Sequence, residues 1–182
     1  MSIKTPEELL KFMSSNIEYG YLTKDGKTYK PDDEDFDKYW FDKCILEDHD
    51  DVLKYKVGTC WDQTEFERKW FLDNGYEIKT FYEQVMLDYV NPYPSHSFLT
   101  FKKDNKWYWF EHSDESNRGI HEFDTLDELL NYQMNKHKEF LINAYEIKDE
   151  ELDRFALFEF DKPKKHISVR EYLMHATKNR IK

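Results

Sequence analysis

A chain of 182 residues and 22.4 kDa has the length of one ordinary domain, and residues 1–182 read as a single unit. With 39% hydrophobic and 18% aromatic residues it can fill one core, which excludes a disordered chain. Lys and Arg number 27 against 38 Asp and Glu, a net charge of −11 that repels phosphate backbones and anionic lipid and so excludes nucleic acid and membrane surfaces as partners.

The N-terminal MSIKTPEELLKF has no apolar signal-peptide region, and no later run is long and apolar enough to span a membrane. The expectation is a soluble, cytoplasmic protein in which Cys44 and Cys60 are free thiols. Thr5-Pro6-Glu7-Glu8 opens a helix, with Thr at the N-cap, Pro in the first helical position and Glu closing a capping box. Leu9, Leu10, Phe12, Met13 and Ile17 form its apolar face. Residues 19–43, with Gly20, Asp25-Gly26 and Pro31 among acids and aromatics, predict a turn-rich excursion rather than regular structure.

A second helix is expected over residues 59–72, where Phe66 and Trp70 share a face, Glu65 and Lys69 are spaced for an ion pair, and Asn74-Gly75 supplies the stop. Residues 76–89 read as a long strand, bulged or broken in two, ended by Asn91-Pro92-Tyr93-Pro94. HSFLTFKK and KWYWFE then flank Asp104-Asn105 as a β-hairpin, followed by the polar loop SDESNRG. Thr125 and Glu128 cap a helix that buries Leu126, Leu129, Leu130 and Met134, FALFEF is irregular or strand-like, and Ser168 with Glu171 caps a closing helix carrying Tyr172, Leu173 and Ala176. The basic residues at 162–165 and 178–182 read as a solvated tail. This order of elements gives a segregated α+β domain with an antiparallel sheet.

VGTCWDQ places Cys60 at a helix N-terminus, where peptide dipoles and free N–H groups favour thiolate over thiol and can hold an oxyanion. Thiol catalysis also needs an imidazole to move the proton and an acceptor to fix its tautomer. His96 begins the first hairpin strand, where its side chain can face a cleft. A two- or four-residue loop opposes Phe98 to Glu111 and His96 to Ser113, which makes His96 and Glu111 diagonal neighbours about 7 Å apart at Cβ. A three-residue loop would instead bring His112 or Asp114 beside His96, so Asp114 is the reserve orienter. Asp62, in the first turn, is expected to point away from a thiolate.

Gly58-Thr59-Cys60-Trp61-Asp62 at a helix start, His96 opening a strand, and Lys106-Trp107-Tyr108-Trp109-Phe110-Glu111 ending the next resemble the transglutaminase-like superfamily, which shares the papain-like cysteine-protease fold. The likeness covers residues 57–113, with Glu111 standing where that family usually has Asp. It implies Cys60 as nucleophile, His96 as base and Glu111 as orienter, in a nucleophile helix packed on an antiparallel sheet. The implied activity is cysteine-dependent amide or acyl chemistry on a peptide or protein amide, as a peptidase or amidase, or as a transglutaminase or acyltransferase, with no cofactor. The alternative is an inactive scaffold that binds a peptide or protein. Asn16, Tyr19 and Tyr21 are the candidates for a second oxyanion donor, the tyrosines ahead because a phenol can donate while its ring packs.

Trp61 is a core residue or a shield for the nucleophile, and Trp70, Trp107 and Trp109 are core rather than a stacking platform. Cys44 in WFDKCIL reads as a small buried hydrophobe. His112, His121 and Cys44 with His49 lack metal-ligand spacing, so no metal site is expected.

Overall fold

The computed structural model describes residues 3–88, 91 and 93–182; Tyr89, Val90 and Pro92, on which the end of the long strand and its Asn-Pro turn were expected, lie outside them. In chain order the elements are α1 (Pro6–Asn16), β1 (Glu18–Tyr19), β2 (Tyr21–Thr23), β3 (Thr28–Tyr29), α2 (Phe36–Lys43), β4 (Cys44–Ile45), α3 (His49–Tyr55), β5 (Val57–Gly58) and α4 (Cys60–Asp73). They continue with β6 (Glu77–Val85), β7 (His96–Lys103), β8 (Lys106–Glu111), β9 (Gly119–Phe123), α5 (Leu126–Tyr145), α6 (Asp149–Leu152), β10 (Phe155–Glu159) and α7 (Val169–Ala176). The chain is an α+β fold around a five-stranded antiparallel sheet ordered β10-β6-β7-β8-β9. No helix among the described residues is long and apolar enough to cross a membrane.

The hairpin turn sets the register of this sheet. Asp104 and Asn105 both adopt positive φ, 51° and 62°, the two-residue turn whose twist matches that of paired strands. Lys103 therefore opposes Lys106 and Leu99 opposes Phe110. On one sheet face Phe66 and Phe71 of α4 pack against Leu99, Phe101 and Phe110. On the other, Leu129 and Leu130 of α5 pack against Phe81, Phe98 and Trp109. A third cluster joins Trp61, Tyr82, Phe158 and Tyr172, with Trp61 stacked on Tyr172 at 4.3 Å between ring centroids.

Two features depart from the expected elements, and two open readings become definite. Residues 19–43 are not irregular: β2 pairs with β3 and β4, and α2 follows, because Tyr21 gathers the rings of Tyr29, Phe36 and Trp40 at 5.1–5.4 Å and turns an acidic stretch into a small aromatic core. FALFEF is a regular strand, β10, at the edge of the main sheet, and residues 77–85 form one continuous strand. Glu65 bonds Arg68 at 3.0 Å rather than Lys69, which instead reaches Asp73 at 2.6 Å. The reason is burial: eleven of the fourteen residues of α4 are buried, so Glu65 and Arg68 face inward, and Arg68 goes on to Thr80 at 2.6 Å.

A buried helix needs its N-terminal N–H groups satisfied from within. Asp62 meets the first of them, its carboxylate accepting from the N-cap Thr59 N–H at 2.8 Å, and it also takes Thr59 Oγ1–H at 2.7 Å and Glu47 N–H at 2.7 Å. Glu47 is itself 1% exposed, and among the described residues its carboxyl is approached by no more than the Leu22 backbone. Burial pushes the pKa of both acids up, and since Asp62 holds three good donors and the Glu47 carboxyl does not, the charge rests on Asp62 and the proton on Glu47.

An acid whose pKa is raised on folding destabilises the fold as pH climbs, because the unfolded chain ionises first, near pH 4.3. Glu47→Gln is therefore expected to stabilise the protein by about 2 kcal/mol at pH 7 and by nearly nothing at pH 4, as read from denaturant unfolding. A gain that did not grow with pH would contradict the assignment of the proton.

Candidate active site

Cys60 is the first residue of α4 and 5% exposed. Its neighbours are set by β5, whose Gly58 pairs in parallel with Tyr19 of β1. A Cβ on Gly58 would come within 3.2 Å of Asp62 Cβ and 3.3 Å of Gln63 Cγ, tighter than ordinary contact, so glycine lets the first turn of α4 close over the strand. Gln63 fills that space, donating from Nε2 to Gly58 O at 2.7 Å and accepting from His112 Nδ1 at 2.6 Å.

His96 opens β7 on the α5 face of the sheet, and its Nε2 lies 2.8 Å from Glu111 Oε2 at the end of β8. The second oxygen of Glu111 accepts from Ser113 Oγ at 3.0 Å and from the Asp114 backbone N–H at 2.8 Å. With Nε2 engaged, Nδ1 is the ring nitrogen left to serve Cys60, which lines the same cleft. Burial opposes a charged imidazole here, yet the Glu111 carboxylate and the interactions with Cys60 outweigh it, and the His96 pKa is held well above its ordinary value.

These groups share a cleft of about 290 Å³ whose lining includes Tyr19, Cys60, His96, Asp114, His137 and Phe140. Tyr19 is 40% exposed overall and lines the cleft beside Cys60. Burial, together with the charges of Cys60 and Asp62, pushes the Tyr19 pKa well above the ordinary phenol value, so the group stays a neutral donor. Tyr21 is not available: its hydroxyl donates to Phe36 O at 2.6 Å inside the aromatic cluster. Asn16 Nδ2 donates to Phe12 O at 2.8 Å on the exposed side of α1.

Trp61 is buried away from the cleft, between Trp40 and Tyr172. Asp114 lines the cleft, but its carboxylate is taken by Ser116 N–H at 2.9 Å, Ser116 Oγ at 2.6 Å and Asn117 Nδ2 at 2.7 Å. It supports Glu111 through its backbone rather than replacing it. The Asp62 carboxylate is turned to Thr59 and Glu47. His49 stacks on Phe66 and His121 bonds Asn117 O at 2.8 Å, and among the described residues no group of three or more His, Cys, Asp or Glu is placed to hold a metal ion.

Three acidic or basic residues at the site are not singled out by motif. Glu67 follows Cys60 by seven positions on the same side of α4 and is 3% exposed. Burial and the adjacent Glu111 charge hold its pKa well above the carboxylate range, so it stays protonated. Glu83 opposes His96 across β6 and β7, and His137 of α5 reaches the cleft. The signal for His137 was the helical period: Leu130, Gln133, His137 and Leu141 form one buried stripe, which a search for apolar residues alone ends at Met134.

No family model matches the chain, and no curated protein or solved structure matches it.

The pairing of His96 with Glu111 sets a measurable titration. In Glu111→Gln the imidazole loses an adjacent negative charge, and its pKa is expected to fall by about one to three pH units. Histidine NMR, with the His96 signal assigned by its disappearance in His96→Gln, reads this directly. An unchanged midpoint would mean that Glu111 does not govern His96.

Proposed function

We propose that this chain is a cysteine-dependent enzyme of amide or acyl chemistry, built on a papain-like, transglutaminase-like fold, with Cys60, His96 and Glu111 as its triad. One observation carries the reading: a helix-initial thiol and an imidazole lining one cleft, the imidazole's Nε2 fixed at 2.8 Å by a carboxylate that is itself held by two donors.

The steps follow from these positions. Proton transfer from Cys60 to His96 gives a thiolate and an imidazolium, the latter stabilised by Glu111. The thiolate attacks a carbonyl carbon, and the oxyanion forms where the Cys60 backbone N–H and the Tyr19 hydroxyl can both donate to it. His96 then returns its proton to the departing amine, leaving a thioester on Cys60. Water, deprotonated by His96, attacks the thioester and frees the acid and the thiol; an amine in its place would give transfer. Hydrolysis is the reading adopted, because it requires no second substrate site.

Alkylation tests the chemistry without knowledge of the substrate. With iodoacetamide at pH 7 and peptide mapping, Cys60 is expected to react at least ~100-fold faster than Cys44, whose thiol burial pushes far above the ordinary range. His96→Ala should remove about tenfold or more of the Cys60 rate. Equal, slow reaction of both thiols would overturn the enzyme reading and leave the cleft as a peptide-binding surface.

Release of fluorophore from quenched peptide pools, set against incorporation of a fluorescent primary amine, then separates hydrolysis from transfer. Cys60→Ala should abolish whichever is found. Activity that survived in Cys60→Ala would assign the chemistry to another group.

A further inference from the structure

His96 has a glutamate on each neighbouring strand of its sheet face: Glu111, bonded to it, and Glu83, its direct partner across β6 and β7. The two carboxyls sit in opposite surroundings. Glu111 gathers donors on both oxygens. Glu83 lies under α5 with no exposed surface, and two residues one helical turn apart on α5 converge on its Oε1, Gln133 Nε2 at 2.6 Å and His137 Nδ1 at 3.2 Å. Its Oε2 has no partner among the described residues.

Geometry places one proton of this cluster, and burial places the other. His137 Nε2 lies 3.2 Å from Pro94 O, and since a carbonyl only accepts, Nε2 carries the hydrogen. Burial keeps the ring neutral, which leaves a lone pair on Nδ1, and among the described residues the group facing it is Glu83 Oε1 at 3.2 Å. Glu83 is therefore a carboxylic acid that donates to His137 while accepting from Gln133. Both directions of titration agree: burial pushes Glu83 up to about 8, and burial with the charge of His96 pushes His137 down to about 3. The other charged groups that face the cluster are Glu111 and Asp114 beyond His96, and Lys138 on α5.

The far end of this chain of bonds is the rim of the cleft. Pro94 precedes His96 by two residues, and the His137 ring lies nearly parallel to that of His96, 6.1 Å away at 21°. We propose that Glu83 and His137 are a neutral positioning pair for His96: the acid fixes the His137 tautomer, and His137 in turn anchors the Pro94 carbonyl and confines the His96 ring against Phe98. A second imidazolium at that distance would oppose the charge on His96, so the neutrality of His137 is part of its role. The role for His96 rests on the triad reading above, whereas the protonation of the pair does not.

Two measurements decide it. Imidazole 15N shifts of the wild-type protein from pH 5 to 7, below the pKa of Glu83, should show His137 as the Nε2–H tautomer throughout, with no titration in that range. An Nδ1–H tautomer, or a midpoint near pH 6.5, would overturn the pair. Glu83→Gln keeps a donor for Nδ1 and should alkylate at Cys60 within about twofold of wild type. Glu83→Leu keeps the volume without the donor, and His137→Phe keeps the ring without its bonds; each should slow Cys60 alkylation about tenfold and shift the His96 titration. Folded Leu and Phe variants with the wild-type rate and the wild-type His96 midpoint would overturn the positioning role. If wild-type Cys60 reacts no faster than Cys44, the triad reading falls, and the 15N measurement still reports whether the pair exists.

Discussion

The Asp62 carboxylate is the constraint on which the rest of the molecule depends. Helix α4 is buried along most of its length, so the N–H groups at its start cannot turn to water. Asp62 closes the N-cap Thr59 N–H from inside, and by taking the Glu47 N–H as well it ties the loop before α3 to the same point. This leaves the Cys60 N–H free to face Tyr19 and the cleft. A negative charge two residues from a thiol would ordinarily oppose a thiolate, but here three donors absorb it. Glu47, buried nearby and facing the Asp62 charge, remains an acid.

Around this fixed helix the sheet supplies the remaining groups by register. Once Asp104 and Asn105 set the β7–β8 pairing, Glu111 must lie diagonal to His96, and once β6 pairs with β7, Glu83 must lie opposite. Two glutamates flanking one imidazole would be expected to compete for its proton. They do not, because their surroundings assign them different charges: donors from Ser113 and Asp114 suit a carboxylate at 111, while α5 offers Glu83 a lone pair on His137 and an amide from Gln133. Environment rather than residue type distinguishes the two positions.

Much of this was legible in the sequence where local chemistry decides. The Asp104-Asn105 turn, the Thr125 and Ser168 capping boxes and the Asn74-Gly75 stop each act within a few residues, and each stands as expected. Thr5 does so only by half, accepting from Glu8 N–H while Glu8 reaches back to Lys4 N–H. The failures are places where distant packing outweighs local pattern. Residues 19–43 look like a polar excursion until Tyr21 brings its aromatics together. Arg68 displaces Lys69 as the partner of Glu65 because the sheet covers that side of α4 and presents Thr80. His137 and Gln133 continue an apolar stripe as polar residues, and only the strand opposite shows why.

The longer arm at position 111 is the last consequence of the same geometry. Diagonal neighbours in an antiparallel pair stand about 7 Å apart at Cβ, a gap that a glutamate spans and an aspartate would close only by drawing the strands together. Here the extra methylene puts Oε2 at 2.8 Å from His96 and carries Oε1 over the end of β8, where the chain has turned to offer the Asp114 N–H and the Ser113 hydroxyl. The turn is held in place by Asp114, whose carboxylate binds Ser116 and Asn117. A glutamate at this position is thus matched by the loop that receives it. A shorter side chain would lose either the imidazole or the loop.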